Sequence, residues 1–204
     1  MEKLNVALWS CGGSLDDVEE AIALYNPLSQ QAFEAHRLLV ATRHITTPSM
    51  FNRDHWKKME EANARADMVA EHERHLSKFE WNDSEPLKVS LRVHGTTTDA
   101  GWSMAHGGLG VIHSEGDQGW FGKGIYVFSS LQYAHLYAQH HKKKPALLVC
   151  AVAPGNVFPV VDQKHYGQPS VDGYQSHYTV GKEFFVCFRR EISEIEYSLV
   201  VCIS

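Results

Sequence analysis

Three short stretches carry residue types that could do chemistry together. The first is Val93-His94-Gly95-Thr96-Thr97-Thr98, an imidazole followed by a glycine that lets a ligand approach the backbone and by hydroxyls that donate and accept. The second is Trp120-Phe121-Gly122-Lys123-Gly124-Ile125-Tyr126-Val127-Phe128-Ser129-Ser130. It presents Tyr126 and ends in a serine pair suited to cap a helix on which Tyr133 and Tyr137 stand four apart. Its Gly122-Lys123-Gly124 precedes a strand rather than a helix, which makes a poor phosphate cradle. The third is Lys182-Glu183-Phe184-Phe185-Val186-Cys187-Phe188, an apolar run opened by a carboxylate that needs a partner or a job if it is buried and ionised. Singly, each has an ordinary structural reading: a strand-end histidine bonded to backbone, core tyrosines with satisfied hydroxyls, a solvated glutamate. Metal chemistry is not expected. His72 and His75 are three apart rather than at the four-residue spacing of a metalloprotease helix, and His140 and His141 point to different faces. Cys11, Cys150, Cys187 and Cys202 have no knuckle spacing and read as reduced, with Cys150 and Cys187 buried in apolar runs.

The elements that must position these residues follow from periodicity. Leu4 to Trp9 reads as a short strand and Cys11-Gly12-Gly13 as a turn. Ser14 then caps a helix carrying Val18, Ile22 and Tyr25, which Pro27 ends. After a second short helical piece, Arg37 to Ile45 reads as β-rich. Thr47-Pro48-Ser49 opens a long helix in which Trp56, Met59, Ala62, Ala66 and Val69 follow the three-to-four repeat. From Glu85 onward the strand candidates are Leu87–His94, Gly124–Phe128, Ala146–Ala153, Glu183–Phe188 and Ile195–Ile203, with one helix from Ser129 to His141. Leu87 to His94 alternates strictly, so Lys88, Ser90, Arg92 and His94 share a polar face and His94 ends the strand on it. The layout is α+β, with strands concentrated in the C-terminal two-thirds. The loop Val161–Val180, with Tyr166, Tyr174, His177 and Tyr178, reads either as an acceptor-facing segment or as an ordinary surface loop.

The 204 residues are 44% apolar with a net charge of −5, which describes one globular domain and excludes disorder as the main state. No apolar run approaches the roughly 18 to 20 residues of a membrane span, and the N-terminus is too short and polar for a signal peptide. A cytoplasmic or nuclear location is expected, with secretion into a host cell as an effector still open. A nucleic-acid backbone is not expected as the main partner, since the basic run is Lys142-Lys143-Lys144 alone, which reads as a solvated helix end.

In order and spacing, the three stretches resemble the poly(ADP-ribose) polymerase (PARP) type of ADP-ribosyltransferase, whose signature is a His-Tyr-Glu triad spread over three strands. Val93-His94-Gly95-Thr96 resembles the first element, Phe-Gly-Lys-Gly-Ile-Tyr ending at Tyr126 the second, and Glu183-Phe184-Phe185-Val186 the third. Tyr137 follows Tyr126 by the family's eleven positions, and Pro154-Gly155-Asn156-Val157 and Glu191-Ile192 match smaller landmarks. The resemblance spans about Arg37 to the C-terminus. It implies a single domain over residues 1–204: a split antiparallel β-sheet NAD-binding core over 87–204, with N-terminal helices and first strands as a brace over 1–86. It implies NAD as co-substrate, no metal, and transfer of ADP-ribose to a protein acceptor or, secondarily, a nucleic acid, by a monomer without membrane contact. The family's roles fall on His94, Gly95, Thr96, Tyr126, Ala134, Tyr137 and Glu183. Nicotinamide sits near Tyr126, stacks on Tyr137 and pairs its carboxamide with the Gly95 backbone, while the loop Val111–Gly119 covers the donor. His94, assisted by Thr96, donates to the adenosine ribose, and Glu183 supports the nicotinamide ribose as positive charge develops there. Ala134 stands where the family often has a serine, which removes one carboxamide bond. Tyr133 stands where chain-elongating members often have a lysine, and Gly110 where some members have an arginine, so mono-transfer is favoured over polymer. Gly181 lacks the acidic or amide side chain of the arginine-modifying branch. Two other readings stay open: a weakened module that binds ADP-ribose or RNA ends, and an NAD glycohydrolase.

Overall fold

The computed structural model describes residues 9–13, 18, 20–51, 54–83, 85, 87–107, 119–121, 124–141, 144–165, 167–179, 185–188 and 195–202, with the backbone alone at 141, 163, 185–188 and 195–202. The strands are β1 (Glu20–Ile22), β2 (Ser90–Thr97), β3 (Tyr126–Val127), β4 (Pro145–Val152), β5 (Val157–Pro159), β6 (Ser176–Thr179), β7 (Phe185–Phe188) and β8 (Ile195–Cys202). The helices of ten residues or more are α1 (Pro27–Thr46), α2 (Ala62–Leu76), α3 (Thr98–Gly107) and α4 (Leu131–His141). Two four-stranded sheets run in the orders β1-β8-β4-β2 and β3-β7-β6-β5. Their edge strands β2 and β3 meet at one antiparallel bridge, where Val93 N–H donates to Phe128 C=O at 2.8 Å and Phe128 N–H returns to Val93 C=O at 2.7 Å.

The α+β layout stands, but the second sheet is mixed rather than wholly antiparallel, because β5 pairs parallel to β6. The expected helix from Ser14 to Tyr25 is also corrected: residues 20–22 pair with Val200 to Cys202 as an edge strand. Pro27 starts a helix instead of stopping one. It lacks an N–H where α1 needs none, and the Asn26 side chain accepts from Ser29 N–H at 3.2 Å. The β-rich segment Arg37 to Ile45 lies inside α1. Its β-branched residues are overridden by the spacing of Phe33, Val40 and Ala41, which pack on Leu87 and Ala153. The long helix expected from Thr47 is two short 3₁₀ turns, Pro48–Met50 and His55–Lys58, followed by α2. The strand expected at Leu4 to Trp9 and the Ser14 cap lie outside the described residues, save that Trp9 is helical. No described helix is long and apolar enough to cross a membrane.

Both faces of β2 are buried, which corrects the expected polar face. The Leu91 and Val93 face packs with Phe128, Leu131, Ala134 and Ala138 of the α4 side. On the other face Ser90 and Arg92 are both 0% exposed. The Arg92 Nε donates to Ser90 Oγ at 3.1 Å, while its two terminal nitrogens have no hydrogen-bond partner among the described residues. Burial lowers the Arg92 pKa to about 10. Cys11 and Cys150 are buried free thiols, and burial raises both.

Candidate active-site cleft

The candidate site, called the cleft below, lies where β2 and β3 part beyond the Val93–Phe128 bridge. Val93 spends its N–H and C=O on Phe128, so the alternation of an antiparallel strand turns those of His94 toward β4 and those of Gly95 back to the Val93 edge. The next rung on that edge would join Gly95 to Tyr126, but the His94 side chain takes the place of a backbone partner. His94 Nδ1 lies 2.7 Å from the Tyr126 carbonyl oxygen. A carbonyl accepts only, so Nδ1 carries the proton; in the neutral tautomer that follows, Nε2 is an acceptor. Gly95 N–H and C=O make no hydrogen bond among the described residues.

A side chain at Gly95 would point into α4 rather than into the cleft. A Cβ there would lie 2.8 Å from the Ala134 carbonyl oxygen, 3.4 Å from Ala138 Cβ and 3.5 Å from Tyr137 Cδ1. Glycine is thus required by the approach of the helix, a cause the sequence reading assigned to ligand contact alone. The same geometry puts the Tyr137 ring next to Gly95. Tyr133 and Tyr137 both rest on Phe128, at ring separations of 5.1 and 5.5 Å.

α4 is seated by its N-terminus. Leu131 N–H donates to Cys11 C=O at 2.8 Å and Tyr133 N–H to Ser130 Oγ at 3.2 Å, so the serine caps as its position predicts. The Tyr126 hydroxyl accepts from Phe121 N–H at 2.8 Å. Thr96 and Ala134 are buried, and Ala134, at 0% exposure, presents no side-chain surface to a ligand. Thr97 Oγ1 is occupied in capping α3, accepting from Ala100 N–H at 3.1 Å. The structure thus gathers His94, Gly95, Tyr126 and Tyr137. Glu183, Gly122, Lys123, Gly181 and the loop 111–118 lie outside the described residues.

The segment Val161–Val180 is exposed at Lys164, Gln168, Pro169 and Asp172 but not at its described aromatic residues and His177. It contains β6, and Tyr174, His177 and Tyr178 are buried there because Tyr174 and His177 pack on Phe158 and Tyr178 on His72; Tyr166 lies outside the described residues. A cavity of about 490 Å³ lies apart from the cleft, between α2 and the turn after β4, lined in part by Val69, His72, Leu87 and Gly155. Among the described residues no three His, Cys, Asp or Glu gather as metal ligands.

The comparisons agree with this architecture. No curated protein matches the chain. Among solved structures, the crystal structure of the TASOR pseudo-PARP domain superposes with a TM-score of 0.58 at 13% identity, over 98% of this chain and 91% of that one, a likeness of fold. Residues 54–196, well over half of the chain, match the profile of the poly(ADP-ribose) polymerase catalytic domain. The chain therefore belongs to the PARP catalytic-domain family.

Proposed function

We propose that the chain binds NAD in the cleft between β2 and β3 and transfers single ADP-ribose units to a protein acceptor, working as a monomer with residues 87–204 as the core and 1–86 as its brace. The supporting observation is the Gly95 backbone, with one donor and one acceptor on the edge beside the Tyr137 ring. A carboxamide has the complementary pair: its oxygen accepts from Gly95 N–H and its NH₂ donates to Gly95 C=O. The attached pyridine then stacks on Tyr137 with Tyr126 nearby. His94, held by the Tyr126 carbonyl, accepts a ribose hydroxyl at Nε2, and Thr96 supports that side. Glu183 is assigned from the resemblance. A carboxylate beside the nicotinamide ribose stabilises the oxocarbenium-like charge more in the transition state than in the ground state, an effect of about 10² to 10³ in rate.

Incubation of the purified chain with NAD and a cell lysate tests this. Nicotinamide release measured by chromatography should accompany ADP-ribose on acceptor peptides measured by mass spectrometry. Glu183→Gln should remove transfer while leaving NAD affinity within a few-fold. An unchanged rate takes Glu183 out of its role, and nicotinamide release without protein label makes the chain an NAD glycohydrolase.

A second reading is favoured by two observations: one solved structure of similar fold is a pseudo-PARP domain, and Ala134 replaces a serine the family often has. In that reading the cleft binds ADP-ribose or an RNA end without turnover. Calorimetric binding of either ligand with no nicotinamide release identifies it.

A further inference from the structure

The short turn that leads into β3 is held from several sides. Gly167 N–H donates to Gly119 C=O at 2.9 Å, and Phe121 N–H donates to the Tyr126 hydroxyl at 2.8 Å. From β6, His177 Nδ1 lies 2.7 Å from the Phe121 carbonyl oxygen. That oxygen only accepts, so Nδ1 bears the proton. The other ring nitrogen is engaged as well, because Val171 N–H donates to His177 Nε2 at 3.0 Å. One tautomer of a neutral ring satisfies both bonds. Burial lowers the His177 pKa to about 4, which keeps that form through neutral pH.

The Phe121 peptide is therefore pinned at both ends, by His177 at its C=O side and by Tyr126 at its N–H. Tyr126 in turn offers its backbone oxygen to His94. A continuous relay of four hydrogen bonds, Val171 to His177 to Phe121 to Tyr126 to His94, joins β6 to β2 across the two sheets. The residue between the pinned positions, Trp120, is 53% exposed and reports on the turn. A buried imidazole is a costly way to fill space, and an aliphatic residue would pack there without polar atoms to satisfy. What the imidazole adds is a directed N–H toward Phe121.

We propose that His177 is a positioning residue of the cleft, fixing the Phe121 peptide so that the Tyr126 ring and, through its carbonyl, the His94 ring are held in place for the ligand. The ligand part of this statement rests on the NAD reading above; the clamp itself does not.

Two substitutions separate positioning from mere packing. The amide nitrogen of Asn occupies about the place of Nδ1, so His177→Asn can still donate to Phe121 but cannot accept from Val171. His177→Gln carries its amide to about the place of Nε2, so it can accept from Val171 but no longer donates to the Phe121 carbonyl. Each loses one buried hydrogen bond, and thermal melting should fall by similar amounts. In His177→Gln, amide hydrogen exchange at Phe121, read by NMR, should rise about tenfold and the Trp120 indole N–H resonance should shift, because freeing the Phe121 carbonyl lets the turn open and with it the Phe121 N–H bond to the Tyr126 hydroxyl. NAD affinity should weaken about tenfold. His177→Asn should keep Phe121 exchange and NAD affinity within about threefold of the parent. Equal effects of the two variants on Phe121 exchange overturn the proposal. If the parent binds no NAD, the NAD reading fails, while Phe121 exchange still decides the clamp. If neither variant folds, ¹⁵N NMR of the parent imidazole decides: a fixed Nδ1–H tautomer from about pH 7 to about pH 5 supports the clamp, and an Nε2–H or averaging ring overturns it.

Discussion

At the scale of residues, one methyl group added at Gly95 would meet the Ala134 carbonyl oxygen at 2.8 Å, a backbone atom that cannot rotate away. Gly95→Ala should therefore cost about 1 to 3 kcal/mol, as overpacking does, and urea titration measures it. Removing the α4 contact by trimming a side chain will not rescue it. Arg92 behaves oppositely. Its guanidinium is fully buried with terminal nitrogens unpaired among the described residues, so Arg92→Met, which keeps the length and drops the charge, should leave stability unchanged or raise it by about 1 to 4 kcal/mol. A loss of several kcal/mol in the same titration would point to a partner for the charge. For His94, truncation to Ala removes both the Tyr126 bond and the proposed ribose bond, and NAD affinity measured by calorimetry should fall at least about tenfold. Type and spacing single out His94, Gly95, Tyr126 and Tyr137 as candidates, and the structure sets them near one another. The hydrogen bond of His94 Nδ1 to the Tyr126 carbonyl was not legible, since it depends on which atom faces that nitrogen.

At the scale of elements, helix starts decide much of the fold. Asn26 and Pro27 start α1, and the buried spacing of Phe33, Val40 and Ala41 carries it through a β-branched stretch. Asn26→Ala should destabilise the protein by about 1 kcal/mol while leaving the cleft's ligand affinity unchanged, which denaturation and calorimetry together check. α4 was legible because Ser130, Tyr133 and Tyr137 fall at capping and helical positions. The strands β5 and β6 were not legible as such. Three- and four-residue segments carry too little alternation to distinguish from loop, and β6 is Ser176-His177-Tyr178-Thr179, whose polar groups give no sign in the sequence that all four are buried. α3 was missed for a related reason: its cap, Thr97, sits among three threonines that read equally well as ligand-binding hydroxyls.

At the scale of the whole molecule, buried neutral histidines tie stability to pH. Burial lowers His75 to about 3 and His177 to about 4, and holds His72 well below its ordinary value. Below the unfolded value of about 6.5 the unfolded chain binds protons that the folded one refuses. Stability is therefore full above about pH 6.5 and falls as the pH drops toward the folded values, by about 2 kcal/mol per histidine at about pH 5. Guanidinium midpoints taken between about pH 7.5 and about pH 5 should decline steadily, and a flat profile would contradict the burial of these rings. The sequence by itself determined the α+β class, the strand that carries His94, the capped helix that carries Tyr137, and the family resemblance, because these depend on alternation, helical spacing and short contiguous strings. Only the tertiary structure decided that the sheets join at Val93 and Phe128, that His94 reaches a carbonyl 32 residues away, and that His177 reaches one 56 residues away. Such contacts are set by register and by packing between distant segments, and no local pattern in the chain encodes them.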